Sequence, residues 1–389
     1  MKNNEDDRIQ INDSSYKPQL SSQFTNNYIK YRLFIKIIFV FIFFIILYPV
    51  VFFINDNNNK IELKSLLSKN VKITNKFESD FIYKLKSFLD DDEIMENEMM
   101  NKHTTFQLGG PARFFIIPKT INKIIKIILL CKEYSIEYFI LGNGSNLLVS
   151  DLGYNGLIIY INEINFSNLK VDMIDDSHNS VIVGGGLLMR TLAKKMCLLS
   201  LSGLEDIIDI PGTIGGGIIM NASAGGKGLI YNSLEKVKVI TPDGEIKDLS
   251  KSECELRYRG SILKDKKYLV IEATFNLIKS DKIIIEKRMS LHTSKRYSRQ
   301  PMYFPSAGSF FIWVKSKDGS LYEKYKENNL VSYKVGDAMI YTNNIAFIVN
   351  LGNAKSSDVY QIVTHVEKVI KEKYDIKIKR EVIFLGSFK

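Results

Sequence analysis

Two glycine-rich loops carry the residues best suited to hold a charged ligand. The first, Leu141-Gly142-Asn143-Gly144-Ser145-Asn146, follows the apolar run YFI and precedes LLV, so a sharp turn between two strand-like segments is predicted. Glycine there permits positive φ and lets backbone N–H groups come close to an anion. The second, Ile210-Pro211-Gly212-Thr213-Ile214-Gly215-Gly216-Gly217, opens into IIMNASAGGKG, and a loop feeding a helix start suits a diphosphate. Neither loop reads GxGxxG or ends in GK[ST], so neither a Rossmann dinucleotide fold nor a triphosphate loop is supported. Taken singly, each loop reads first as a structural turn; two in one domain shift the balance towards a ligand. His103, His178, His292 and His365 are scattered and offer no metal-ligand spacing, and His365 in QIVTHVEKVI reads as structural. Cys131, Cys197 and Cys254 have no CxxC spacing and read as buried, inert thiols in a reducing compartment.

The loops must be positioned by the elements around them. Short β-branched runs between glycine turns, such as FFIIP, GLIIYI, SVIVGGG, KVKVITPDGEIKDL and KYLVIEATFNLI, alternate with helical stretches such as INKIIKIILLCKEY and LLMRTLAKKMCLL. An α+β chain without internal repeat is the prediction. Before it, residues 55 to 100 are lysine-rich and moderately amphipathic, predicting one or two short helices in stretches such as FIYKLKSFLDDDEIM. With 389 residues, 45% hydrophobic and 25% charged, the composition excludes a disordered, collagenous or disulfide-stapled chain and leaves room for about two or three domains. The net charge of +10 comes from lysines spread along the chain. That pattern argues against a nucleic-acid partner and suits ligands carrying phosphate.

One segment departs from this average. Ile37 to Ile54 reads IIFVFIFFIILYPVVFFI, uncharged, and would span roughly 27 Å as a helix. A single transmembrane helix is predicted at 37–54, after a disordered polar tail at 1–36 and before a linker at 55–76. Thirty-odd polar residues ahead of the run fit a cleaved secretory signal poorly, so an uncleaved anchor is expected. Lys30, Arg32 and Lys36 before the run, with Asp56 and Lys60 after it, lean weakly towards an N-terminus inside.

Six motifs in order then carry a resemblance: HTTFQLGGPA (103 to 112), LGNGSNLLVSD (141 to 151), GLEDIIDIPGTIGGGIIMNASAGG (203 to 226), YRGS (258 to 261), QPMYFPSAGSFF (300 to 311) and REVIFLG (380 to 386). Over roughly residues 61 to 389 the chain resembles the bacterial UDP-N-acetylenolpyruvoylglucosamine reductase family, FAD-dependent enzymes of cell-wall precursor synthesis. The resemblance implies a two-subdomain FAD-binding fold of the vanillyl-alcohol-oxidase type, at 77–166 and 167–285. A C-terminal α/β substrate-binding domain at 286–389 would then return the chain to the flavin. It also implies that NADPH reduces FAD and that the flavin delivers hydride to an enolpyruvyl ether, giving UDP-N-acetylmuramate after one protonation.

The resemblance further assigns roles. Ser309 in SAGSFF would be the proton donor, with Arg259 in YRGS and Glu381 in REV polarising the substrate carboxylate and stabilising the enolate. Arginine suits this because its planar fork matches a carboxylate. Glu381 beside a carboxylate implies a raised pKa or a pairing with the arginine. Read locally, Ser309 is a turn cap, Arg259 part of a basic face with Arg257, Lys264 and Lys266, and Glu381 an outward strand residue. FAD is expected to contact Leu141, Gly142, Asn143, Gly144, Ser145, Asn146, Pro211, Gly212, Thr213, Gly215, Gly216 and Asn221. The UDP-sugar is expected to contact Tyr258, Gln300 and Trp313.

Departures from the family pattern fall mainly on the substrate side. Ile312-Trp313-Val314 replaces a polar continuation, Leu321-Tyr322-Glu323 replaces Lys-Leu-Ile, and Asn344 stands where His is frequent. Asp209 replaces a usual Gly and would repel a diphosphate unless it points away, and Gly225 replaces a frequent Tyr. Two alternatives follow: a flavin oxidoreductase of this fold with another substrate, or a membrane-tethered flavoprotein without turnover. Retention of Arg259, Ser309 and Glu381 together argues against the second. Cytosolic NADPH and UDP-sugar would place the catalytic domain in the cytoplasm, against the small lean of the flanking charges, with an organelle-targeted chain as the alternative.

Overall fold

The computed structural model describes residues 78–175, 177–222, 230–312 and 321–388. The apolar run 37–54, Trp313 and Gly225 lie outside the described residues. Among the described residues no helix is long and apolar enough to cross a membrane. Apart from residues 78–80, all that is described belongs to one compact unit, Phe81–Lys389.

The first lobe is built on a four-stranded sheet. Strands β1 (Ile94–Met99), β2 (Pro111–Ile116), β3 (Tyr138–Leu141) and β5 (Tyr154–Tyr160) take the order β1-β2-β5-β3, while β4 (Leu147–Val149) stands apart from it. Helix α1, over residues 78–86, and helix α2 (Ile121–Glu133) supply the apolar cover. In α2 the buried side chains Ile124, Ile127, Ile128 and Cys131 recur at one-turn spacing, and Thr120 caps its start by accepting from Lys123 N at 3.3 Å. Each buried isoleucine contributes about 2 kcal/mol of burial. The FIYKLKSFLDDDEIM stretch is only half helical: three charged residues make a short 3-10 turn, Asp91–Glu93, and Ile94 already starts β1.

The second lobe is an antiparallel sheet of β6 (Leu169–Met173), β7 (His178–Gly184), β8 (Leu201–Ser202), β9 (Leu234–Ile240), β10 (Ile246–Ser250) and β11 (Leu269–Lys279). Its order is β10-β9-β11-β7-β6, with β8 paired to β11. Helices α3 (Met189–Leu198), α4 (Ile214–Ile219) and α5 (Lys282–Tyr297) pack with it. Val181, Val183, Leu192, Ile214, Ile218 and Phe275 make the centre of that core.

The C-terminal part holds a sheet of β12 (Ser306–Ser309), β14 (Lys334–Val335), β15 (Ala338–Ile340) and β16 (Phe347–Asn350), covered by helix α6 (Ser356–Tyr374). Two small pairings decide the site. Strand β13 (Phe311–Ile312) pairs antiparallel with β17 (Lys379–Arg380), and β18 (Ile383–Leu385) runs parallel to β4, aligning Ile383 with Leu147. The last strand is thereby brought back beside the first glycine loop.

The three cysteines are buried, and burial pushes the Cys131 thiol up to about 12 and the Cys254 thiol to about 11. Thiols held in that form are inert at neutral pH.

Candidate active site

Both glycine loops face one cavity of about 640 Å³. Leu141 to Asn146 line it as a continuous stretch, and Pro211, Gly212, Thr213 and Gly216 line it from the second loop. The loops are fastened to each other, since Asn143 Nδ2 donates to Pro211 O at 3.0 Å and a Cβ on Gly142 would lie 2.6 Å from Thr213 Oγ1. Gly144 has φ of 61°, and a Cβ there would come within 2.1 Å of His103 O. Only glycine fits that turn.

Among the described residues the N–H groups of Asn143, Gly144 and Ser145 donate to no protein acceptor. Three free amides in one glycine turn make a nest for an anionic group, so these residues fit the diphosphate of a dinucleotide cofactor. Thr213 caps α4, its Oγ1 accepting from Gly216 N at 3.3 Å. Two residues expected at the cofactor fall elsewhere. Gly215 turns inward, its N–H donating to Gly185 O at 2.8 Å, and a Cβ there would sit 3.1 Å from two backbone oxygens. Asn221 Nδ2 donates to Arg257 O at 3.0 Å, so that side chain braces the next turn.

Arg259, Ser309 and Glu381, separated by fifty residues or more in the sequence, also line this cavity. Arg259 sits in the turn closed by Arg257 N–H to Gly260 O at 3.0 Å and Gly260 N–H to Arg257 O at 3.1 Å. Its φ is 57°, a left-handed conformation that costs a non-glycine residue on the order of 1 kcal/mol. The turn is held from two sides. Arg257 pairs with Asp265, and the buried Ser261 hydroxyl donates to Ile219 O at 2.7 Å while accepting from Lys264 N at 3.2 Å. Arg259 is thus not one member of a solvated basic face.

Glu381 is aimed inward by the strand pairings around it. Its N–H donates to Phe310 O at 2.8 Å, its carbonyl accepts from Asn146 Nδ2 at 3.3 Å, and Ile383 N–H donates to Asn146 O at 3.1 Å. Residues next to Ser309, next to Glu381 and in the first glycine loop therefore share one ladder. Arg259 Nε lies 2.8 Å from Glu381 Oε1, with side chains 19% and 11% exposed. This is a close charge contact and not a directed hydrogen bond, since the buried Nε–H has no hydrogen-bond partner. Burial raises the Glu381 pKa, and Arg259 and Lys264 only partly oppose it. Sequence reasoning expected a raised value from a substrate carboxylate, whereas burial is the main cause here.

Of the residues expected at the substrate, Gln300 lines the cavity. Tyr258 does not: it is 53% exposed, with the Arg259 guanidinium 5.5 Å from its ring centroid, because successive residues of a tight turn point apart. Asn344 bridges backbone, donating to Arg299 O at 2.9 Å and accepting from Ala346 N at 3.2 Å, and is not among the lining residues.

Asp209 does line the cavity, yet its carboxylate is engaged. Thr293 Oγ1 donates to Asp209 Oδ2 at 2.5 Å, and Asp209 supports the charge of Arg296, whose pKa burial lowers. The expected repulsion of a diphosphate is relieved by these α5 partners. Arg296, Lys264, Arg190 and Tyr303 also line the cavity and were missed in the sequence. Lys264 and Arg296 lie five residues after Arg259 and four before Gln300, so their nearness to recognised motifs was the available signal.

Two sheet lobes meeting at a glycine-loop anion nest, with a third sheet delivering a serine, define the class of a two-lobed flavin oxidoreductase with an appended substrate domain. The FAD binding domain family matches residues 112–250, and the C-terminal domain of UDP-N-acetylenolpyruvoylglucosamine reductase matches residues 300–385. The UDP-N-acetylenolpyruvoylglucosamine reductase of Clostridium novyi is 38% identical over 309 residues, covering 79% of this chain and 97% of that protein. That of Alkaliphilus metalliredigens is 37% identical over 302 residues, 77% of this chain and 96% of the relative. The crystal structure of UDP-N-acetylenolpyruvylglucosamine reductase from Thermus caldophilus superposes with a TM-score of 0.61 at 29% identity, covering 74% of this chain and 98% of that one. The chain belongs to the UDP-N-acetylenolpyruvoylglucosamine reductase family.

Proposed function

We propose that this cavity is where the chain reduces UDP-N-acetylglucosamine enolpyruvate to UDP-N-acetylmuramate for peptidoglycan precursor synthesis, using FAD and NADPH. The observation that carries this reading is the Arg259–Glu381 pair at 2.8 Å in the same cavity as Ser309 and the first glycine loop. Bound FAD supplies the chemistry of accepting hydride from NADPH and passing it to the enol ether carbon.

The protein supplies position, charge and a proton. Leu141 to Asn146, Pro211, Gly212, Thr213 and Gly216 hold the cofactor. The Arg259 guanidinium stabilises negative charge developing on the substrate carboxylate. Glu381 fixes the guanidinium and, with its raised pKa, tolerates an anionic neighbour. Ser309 gives its hydroxyl proton to the enolate carbon, which is basic enough to accept it once geometry is fixed. Residues 77–166 and 167–285 serve as the flavin subdomains and 286–389 as the substrate domain. The membrane anchor at 37–54 rests on its eighteen uncharged residues alone.

Half-reactions test the assignment. In Ser309→Ala, NADPH should still bleach the flavin at the wild-type rate, while reoxidation by UDP-N-acetylglucosamine enolpyruvate should slow about 10³-fold. Loss of both half-reactions would remove Ser309 as the acid.

A further inference from the structure

A tyrosine pair on the wall of the same cavity has no role in the chemistry above. Tyr297 ends α5 and Tyr303 lies in the loop that follows. Their ring centroids are 6.2 Å apart at 76°, an edge-on arrangement, and both line the cavity. Tyr303 is 86% exposed and Tyr297 49%. Exposing nearly a whole tyrosine ring leaves apolar area in water that most tyrosines cover. The adjacent Phe304 is only 40% exposed, its centroid 6.4 Å from that of Tyr341.

Position and charge narrow what could cover the free ring face. Tyr303 precedes Ser309 by six residues on one strand-bound segment, so the two lie within roughly 20 Å even if the chain is fully extended. Arg296 precedes Tyr297, and its buried Nε has no hydrogen-bond partner. Arg190 contributes a further cation to the same lining. An aromatic face sharing one lining with two guanidinium groups suits a flat base joined to phosphate.

We infer that Tyr303, held edge-on by Tyr297, is a stacking platform for the nucleobase of a nucleotide substrate, and so a specificity-determining residue of this enzyme. The inference rests on the proposed reading that nucleotide substrates enter this cavity. Two nucleotides share the required chemistry, the uridine diphosphate-sugar and the adenine end of NADPH, and the test separates them.

The full FAD-loaded chain carrying Tyr303→Ala, Tyr303→Phe or Tyr83→Ala is assayed for KM with each nucleotide and titrated with UDP alone while the flavin spectrum is followed. Tyr83 is 74% exposed, on α1, and serves as control. Tyr303→Ala should raise one KM about tenfold with kcat little changed, and Tyr303→Phe, which keeps the face, should restore it. A raised KM for the UDP-sugar with weakened UDP binding assigns the base as uracil; a raised KM for NADPH alone assigns it as adenine. If Tyr303→Ala leaves both KM values and the UDP titration at wild type, the platform is rejected. If the wild-type chain fails to turn over the UDP-sugar at all, it is the underlying functional reading that fails.

Discussion

The glycine-loop cradle and the Arg259–Ser309–Glu381 cluster occupy one cavity but are made from different material. The cradle is backbone: it needs a turn with φ of 61° at Gly144 and amides left unbonded among the described residues. The acid at Asp209 beside it is engaged by Thr293 and Arg296. The cluster is side chain: each member has one task in the proposed reaction and comes from a different part of the chain. A backbone site therefore fails by steric change at glycine, and a side-chain site fails by loss of one functional group.

Breaking each half separately gives the largest effects. Gly144→Ala would put a methyl group 2.1 Å from His103 O, so the purified protein should lose its FAD and with it all NADPH oxidation. Flavin absorbance per mole of protein reads this directly. Retention of full flavin in that variant would break the claim that the cradle is steric.

Arg259→Lys keeps charge and removes the planar fork. We expect flavin content and reduction by NADPH to persist while substrate turnover falls about 10²-fold. Equal loss in both half-reactions would merge the two regions into one.

A smaller effect sharpens the contrast outside the site. Asp206 is 4% exposed and burial raises its pKa to about 6, with one carboxylate oxygen lacking a hydrogen-bond partner. Glu93, also buried, instead accepts from Lys119 N at 2.7 Å and Asp90 N at 2.8 Å. With a folded pKa of about 6 against an ordinary 3.8, the protonated Asp206 favours the fold, and this contribution is lost as pH rises from about 4 through 6. Asp206→Asn should therefore raise the melting temperature at pH 7 by roughly 5 °C, leave it little changed at pH 4, and spare kcat. An equal shift at both pH values would point to packing instead.

Much of the fold was legible because it follows local rules. The α2 spacing of Ile124, Ile127, Ile128 and Cys131, the strand runs and the two glycine loops all appear as periodicity or turn chemistry. DEIM misled because charged residues flanking a helix also make 3-10 turns, and Ile94 joins a sheet whose partner, β2, is fixed only on folding. Gly215 and Asn221 looked like loop residues at a ligand but face protein, since direction within a loop is not coded by composition. Nearness to a motif was the one signal for Lys264 and Arg296, and it does not separate an inward lysine or arginine from an outward one.

Sequence alone determined which residues could turn, bind an anion or move a proton, because those capacities belong to residue types and near neighbours. Tertiary structure decided which of them meet. The β18–β4 and β13–β17 pairings carry Glu381 from the C-terminus to the first glycine loop and to the segment holding Ser309, and the left-handed turn at Arg259 completes the pair. Such contacts join residues far apart in the chain, 235 positions in the case of Asn146 and Glu381, and are fixed by long-range strand pairing. No local pattern encodes them.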